Sequence, residues 1–217
     1  MMAWMNSPII SSQTSQEAAA YISQHDPRLA PIIAQVGPCT IEPHTDYYRA
    51  LVWSIIGQQL SVKAAATIKQ RFVDLFDGTF PSPEQILETS FESLRSVGLS
   101  GSKAKYIQDL ALHIADGKLR FDTIETMTNE EIIAMLTDIK GIGEWTAHMF
   151  LMFSMGRMDI LALGDLGVRS AIRNLYGFEK LPTPQEVIDI ATKNQWHPYE
   201  SIACWYLWRT LDNEPVS

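Results

Sequence analysis

Apolar residues recur every three or four positions along almost the whole of this chain, and strand-like alternation is scarce. That spacing gathers them on one face of a helix, so a helical fold is the only one the pattern supports. Residues 47–56 and 62–76 each carry such a stripe, and Ser61 is placed to cap the second. Ser102 is placed to cap a helix bearing Ile107, Leu110, Ala111 and Ile114 that stops near Gly117. Thr128 opens the capping box T-N-E-E ahead of Ile132, Ile133 and Leu136. Residues 147–155 are apolar nearly all round, as in a helix at the middle of a bundle. Residues 166–175, stopped by Gly177, and then 184–193 and 198–211, complete the set. Pro81, Pro83, Gly98, Gly101, Pro182 and Pro184 punctuate helices rather than strands. About ten helices joined by short loops predict an all-α fold, two-lobed with a central cleft. No internal repeat or low-complexity linker interrupts it, and the Ser-rich first 12 residues are expected to be poorly ordered.

A chain of 217 residues, 46% hydrophobic, buries a core without help from disulfides. Cys39 and Cys204 stand too far apart in sequence for a C-x-x-C pair, which excludes a cysteine-built zinc site or iron–sulfur cluster. Both are expected as small buried apolar residues. No H-x-x-x-H pair or carboxylate cluster suggests a catalytic divalent metal, and His148 and His197 are expected to be structural. The N-terminus lacks a basic segment followed by a long apolar run, and no apolar run approaches the ~20 residues of a membrane span. The expectation is a cytoplasmic protein with no membrane partner.

Net charge is −8, unevenly spread. Residues 57–71 hold Lys63, Lys69 and Arg71 with no acid. Residues 95–120 hold five cations (Arg95, Lys103, Lys105, Lys118, Arg120) against Asp109 and Asp116. The next stretch, residues 121–138, is purely acidic. Screening confines each charge to about 10 Å, so an acidic protein still supports one positive face. Charge alone leaves the partner open.

The most informative stretch runs from Leu136 to Ala147, where a helix ends, Gly141 and Gly143 sit one residue apart, and a new helix begins. Glycine permits φ > 0 and leaves no Cβ in the way of an incoming group. Unsatisfied amides at a helix start form a phosphate site that needs no basic side chain. A tight interhelical turn is the plainer reading of the same pattern.

The segment Ile139-Lys-Gly-Ile-Gly-Glu-Trp-Thr-Ala147, followed by Gly164-Asp-Leu-Gly-Val-Arg169, resembles the helix-hairpin-helix DNA glycosylase superfamily, within it the 3-methyladenine DNA glycosylase II branch. Ile55-Ile-Gly-Gln-Gln-Leu-Ser61 and Val97-Gly-Leu-Ser-Gly-Ser-Lys-Ala104 support the likeness, which runs from about Asp46 to Trp208. The resemblance implies a single helix-hairpin-helix glycosylase domain, without the N-terminal β-rich domain of some relatives. It implies a monofunctional enzyme that hydrolyses the N-glycosidic bond of alkylated purines such as 3-methyladenine in double-stranded DNA. A monomer is expected, nucleoid-associated in a bacterium or nuclear in a eukaryote.

Asp165 takes the catalytic place in that resemblance; read locally it is a helix N-cap, and the two roles are compatible. A fixed anion stabilises an oxocarbenium-like sugar, and an alkylated purine that already carries positive charge leaves without a second acid. Bifunctional relatives put a nucleophilic lysine where this chain has Trp145, and Lys140 does not match that place. No lyase activity is therefore expected. Trp145 and Trp208 match base-pocket tryptophans, suited to a cationic ring. Met149 replaces an aromatic that some relatives carry at the pocket floor. Trp53 and Trp205 are expected in the core.

The target base must leave the duplex to be reached. The turn Gly57-Gln-Gln-Leu-Ser61 matches the family's wedge, with Gln59 at the wedge position and Gln58 and Leu60 beside it. On a local reading, Gln58 and Gln59 instead bond the turn's backbone. The resemblance further sets Gly141, Gly143 and Thr146 against DNA. Ser102 and Lys103, at a helix start after Gly101, are candidates for a second phosphate, and Arg169 for a phosphate or for pairing with Asp165. No cofactor is required. A structural Na+ or K+ on the main-chain carbonyls of Thr137, Ile139 and Ile142 is implied by the family alone. Two other readings remain: a non-catalytic binder of damaged DNA, and a glycosylase for other damaged or mismatched bases.

Overall fold

The computed structural model describes residues 9–212. These form twelve α-helices, and the only β-type pairing among them is an isolated antiparallel bridge between Ile9 and Arg157. Among the described residues, no helix is long and apolar enough to cross a membrane. The chain divides into two compact units: Thr45–Phe150, and the segments on either side of it.

The Thr45–Phe150 unit contains α3 (Tyr47–Gly57), α4 (Val62–Asp74), α5 (Pro83–Glu88), α6 (Phe91–Ser96), α7 (Gly101–Ala115), α8 (Asn129–Thr137) and α9 (Glu144–Met149). Their starts are written locally. Asp46, Ser61, Ser82, Ser90 and Thr128 each accept an amide of their own first turn, and Ser82 and Thr128 complete capping boxes with Gln85 and Glu131. One start departs from expectation: Ser100, not Ser102, caps α7, and Ser102 lies exposed in its first turn. The serine two residues earlier has the extended backbone a cap needs, and its Oγ accepts the Lys103 amide at 3.2 Å. Leu51, Val52, Ile55, Ile56, Phe72, Ile107 and Leu110 form the core. Trp53 meets Phe72 and Phe80 edge-on at 5.9 and 5.0 Å.

The other unit contains α1 (Ser12–His25), α2 (Ala30–Val36), α10 (Leu166–Tyr176), α11 (Pro184–Lys193) and α12 (Glu200–Asp212). Of the N-terminal stretch expected to be poorly ordered, residues 1–8 lie outside the described residues. The remainder is ordered: Ile10 is buried, Ser11 caps α1, and the Ile10 amide bonds the Gly156 carbonyl at 2.8 Å. Asp26, fully buried, is the polar keystone. Its Oδ1 accepts the amides of Arg28 and Leu29 at 3.0 and 3.1 Å, and its Oδ2 accepts the Tyr176 hydroxyl and Trp196 Nε1–H, the latter at 2.8 Å. Four donors satisfy a charge that would otherwise be costly to bury. Tyr206 and Trp205 are core residues, the former donating to the Gly37 carbonyl at 2.8 Å.

The long apolar helix expected over residues 147–155 is interrupted. Helix α9 ends at Met149 and a π-helical turn, Phe150–Ser154, follows. The wider turn inserts a residue into the helical register. It leaves Phe153 37% exposed between buried neighbours.

Candidate active site

Asp165 is the N-cap of α10 and is 8% exposed, while Gly164 and Leu166 on either side of it are exposed. Its Oδ1 accepts the Val168 amide at 2.7 Å and Trp208 Nε1–H at 2.8 Å. The cap bond fixes the side-chain rotamer, and the indole from α12 holds the same oxygen from a second direction. The carboxylate thus sits in one orientation, the arrangement electrostatic stabilisation of a nearby cation requires.

Trp208, expected to face a base, gives its polar edge to this carboxylate. Its ring stacks on Phe153, with centroids 5.7 Å apart and planes inclined by 28°. Gly167 makes the contact possible: a Cβ there would lie 2.9 Å from Trp208 Cδ1, 3.0 Å from its Nε1 and 3.0 Å from Asp165 Oδ1. Neither Gly167 nor Phe153 is among the site residues expected from the sequence. The signal for Gly167 was available, since glycine in a helix costs about 1 kcal/mol against alanine and asks for a packing reason.

Arg169 Nε donates to the Pro182 carbonyl at 2.8 Å and ties α10 to the segment before α11. Cys204 is buried and its thiol is pushed up to about 12 by desolvation, so it stays an inert thiol. His197 bonds Glu200 at 2.9 Å. His148 is buried, and desolvation lowers its pKa against the opposing pull of Glu144.

The glycine turn lies in the Thr45–Phe150 unit. Gly141 has φ +83°, and a Cβ on it would come within 2.1 Å of Tyr106 Cδ2. Gly143 differs from expectation: its backbone is extended (φ −97°), it caps α9 without a side chain, and a Cβ there would meet nothing within 4 Å. Gly141 is thus demanded by the fold, whereas the space outside Gly143 is open. The turn is closed by the Ile142 amide on the Ile139 carbonyl at 3.1 Å.

Gln58 Nε2 donates to the Gly141 carbonyl at 2.8 Å, so it braces the glycine turn from within the unit. Gln59 and Leu60 are exposed, and Gln59 occupies the left-handed region at φ +56°. Lys103 is not a free cation at a helix start: its Nζ donates to the carbonyls of Ile56 and Gln58 at 2.9 and 2.6 Å. The Ile56 carbonyl is in the last turn of α3, left without an intrahelical donor, and Gln58 is the residue that follows the helix. Thr146 is buried. Trp145, 49% exposed, lines a hollow of about 440 Å³ together with Ser54, Gly57, Gln58, Gln59 and Thr146. Met149 is the last residue of α9 and partly exposed. Asp165, Trp208 and Phe153 therefore meet in one unit, and the glycine turn, Gln58, Gln59 and Trp145 belong to the other.

A family model described as HhH-GPD superfamily base excision DNA repair protein matches residues 52–195, more than half of the chain. The chain belongs to the HhH-GPD superfamily. The chain is 31% identical over 199 residues to the alkylbase DNA glycosidase-like protein mag2 of Schizosaccharomyces pombe, covering 89% of this chain and 92% of that one. The crystal structure of a DNA-3-methyladenine glycosidase from Bacillus halodurans superposes with a TM-score of 0.81 at 38% identity, covering 92% and 91% of the two chains. The S. pombe 3-methyladenine DNA glycosylase Mag1, in complex with abasic DNA, superposes with a TM-score of 0.79 at 33% identity, covering 90% and 97%.

Proposed function

We propose that the protein is a monofunctional base-excision DNA glycosylase that hydrolyses the N-glycosidic bond of alkylated purines, 3-methyladenine among them. The observation that carries this reading is the doubly held carboxylate of Asp165, in an HhH-GPD chain whose relatives include named 3-methyladenine glycosylases.

Loss of the base leaves positive charge on the sugar, and the Asp165 anion stabilises it as water adds. A purine made cationic by alkylation departs as a neutral base, so one carboxylate suffices. Trp145, half-exposed at the edge of the hollow, suits such an electron-poor ring. Gln59, with Leu60 beside it, fills the gap left in the duplex. The open side of Gly143 gives a backbone phosphate room beside the turn's amides. Phosphate binding through amides reconciles a net charge of −8 with DNA as substrate.

Hydrolysis without lyase chemistry is supported by two residues. Trp145 occupies the place where bifunctional relatives carry lysine, and the Lys140 ammonium is bound at 2.6 Å to Asp109. We assign no cofactor to the reaction. A structural monovalent cation would draw on the main-chain carbonyls of Thr137, the last residue of α8, and of Ile139 and Ile142; the Ile139 carbonyl accepts the Ile142 amide at 3.1 Å and keeps a second lone pair for such an ion.

The test incubates the purified protein with methylated DNA and identifies released bases by chromatography. Free 3-methyladenine is expected, with no enzyme–DNA adduct on borohydride reduction. Asp165→Asn keeps an oxygen for the cap and for Trp208, yet lowers release by about 10²–10³-fold or more. Binding to an abasic duplex is retained. A variant that still releases base at the wild-type rate would sink the mechanism, and a wild type that releases none would favour the non-catalytic binder.

A further inference from the structure

The residues Lys103, Tyr106, Asp109 and His113 recur every three or four positions along one face of α7. In sequence they read as part of a mildly basic patch. In the structure each reaches a different part of the machinery in the same unit. Lys103 holds the carbonyls of Ile56 and Gln58, at the base of the turn that carries Gln59. The Tyr106 ring fills the space beneath Gly141. Asp109, with a side chain only 10% exposed, accepts the Lys140 amide at 2.9 Å and the Lys140 ammonium at 2.6 Å. His113 Nε2 lies 3.2 Å from Asp138, which follows the last residue of α8. Gln58 closes the circuit by donating to the Gly141 carbonyl.

We propose that this face of α7 is a mount that presets the Gln59 turn and the glycine turn in register for DNA, with Lys103 and Asp109 as positioning residues rather than DNA contacts. The inference rests on the glycosylase reading and deepens it. The Gln59 turn needs such support. It holds a non-glycine residue in the left-handed region at the end of α3, and a projecting side chain enters a duplex only if its backbone resists being pushed back. Lys103 meets that need with both of its donated bonds. Partial burial of its ammonium, which lowers its pKa, fits a lysine spent on carbonyls rather than on solvent. Asp109 likewise spends the one exposed cation of the glycine turn.

Two variants separate positioning from DNA contact because they carry opposite charge expectations. The probe is a duplex holding one tetrahydrofuran abasic site, with 2-aminopurine as the opposing base to report unstacking. A lysine on phosphate contributes about 0.9 to the slope of log K against log salt. Lys103→Met is expected to abolish most of the 2-aminopurine fluorescence rise, to leave that slope within about 0.3 of wild type, and to be rescued by Lys103→Arg. Asp109→Ala makes the protein less acidic, which by charge alone strengthens DNA binding. The mount instead requires about tenfold weaker binding to the abasic duplex, with thermal unfolding still cooperative. A Lys103→Met slope shallower by about 0.9, an unchanged fluorescence rise, or tighter binding by Asp109→Ala overturns the proposal. Should Lys103→Met fail to fold, the Asp109→Ala arm decides alone. Base release by the wild type from methylated DNA is measured alongside. Its absence refutes the glycosylase reading, whereas its presence with a failed arm refutes only the mount.

Discussion

Gly141→Ala separates a glycine required by the fold from one that leaves space for a partner. The added Cβ would sit 2.1 Å from Tyr106 Cδ2 and 2.4 Å from Cγ, contacts that force either ring or turn to move. Overpacking of that kind costs about 1–3 kcal/mol. The backbone at φ +83° adds about 1–2 kcal/mol for any residue with a Cβ, so the expected loss is roughly 2–5 kcal/mol. Urea denaturation of the single variants and of Gly141→Ala combined with Tyr106→Ala measures the steric share. Removing the ring is expected to recover about 1–3 kcal/mol as a coupling energy. Gly143→Ala is the control. It meets no atom within 4 Å and changes only an N-cap preference, so stability falls by about 1 kcal/mol or less while affinity for DNA falls. A Gly141→Ala protein within about 0.5 kcal/mol of wild type, or one with no coupling to Tyr106, would refute the reasoning.

Trp208→Phe keeps a ring on Phe153 but removes the N–H donated to Asp165; single-turnover base release is expected to slow about tenfold, the equivalent of one hydrogen bond. Burial sets the pKa of His148 below its ordinary value of 6.5 in the folded protein. As pH falls below about 7, the unfolded chain therefore takes up this proton first. Folding stability declines toward pH 5, and denaturation of His148→Gln across that range should show a flatter dependence. Asp26→Ala strands the donors of Trp196 and Tyr176 in the core; a loss of about 3–5 kcal/mol, seen as a melting temperature lower by roughly 6–20 °C, is expected.

The helices were legible because what starts and stops them lies within four residues in the chain. Ser61, Thr128 and Gly177 cap or end helices as their local pattern dictates, and residues 184–193 match α11 end to end. Even the failure at Ser102 was local, a choice between two serines two residues apart. Asp165 was legible for the same reason, as a cap that closes on Val168, three residues on. The π-helical turn left no such mark, because an apolar run satisfies either kind of turn.

Side-chain partners were another matter. Spacing and composition determined an all-α chain with a glycine turn, and the family resemblance added a candidate carboxylate, but together they offered Lys103, Arg169, Gln58 and Trp208 only as groups of the right type. Tertiary structure decided where each one goes. Lys103 finds carbonyls 45 and 47 residues away, Gln58 one 83 residues away, and Trp208 the carboxylate 43 residues away. A cap's acceptor is set by backbone geometry that the sequence repeats locally. A long side chain's acceptor is whichever unsatisfied group folding brings within 3 Å, and no pattern along the chain encodes that distance.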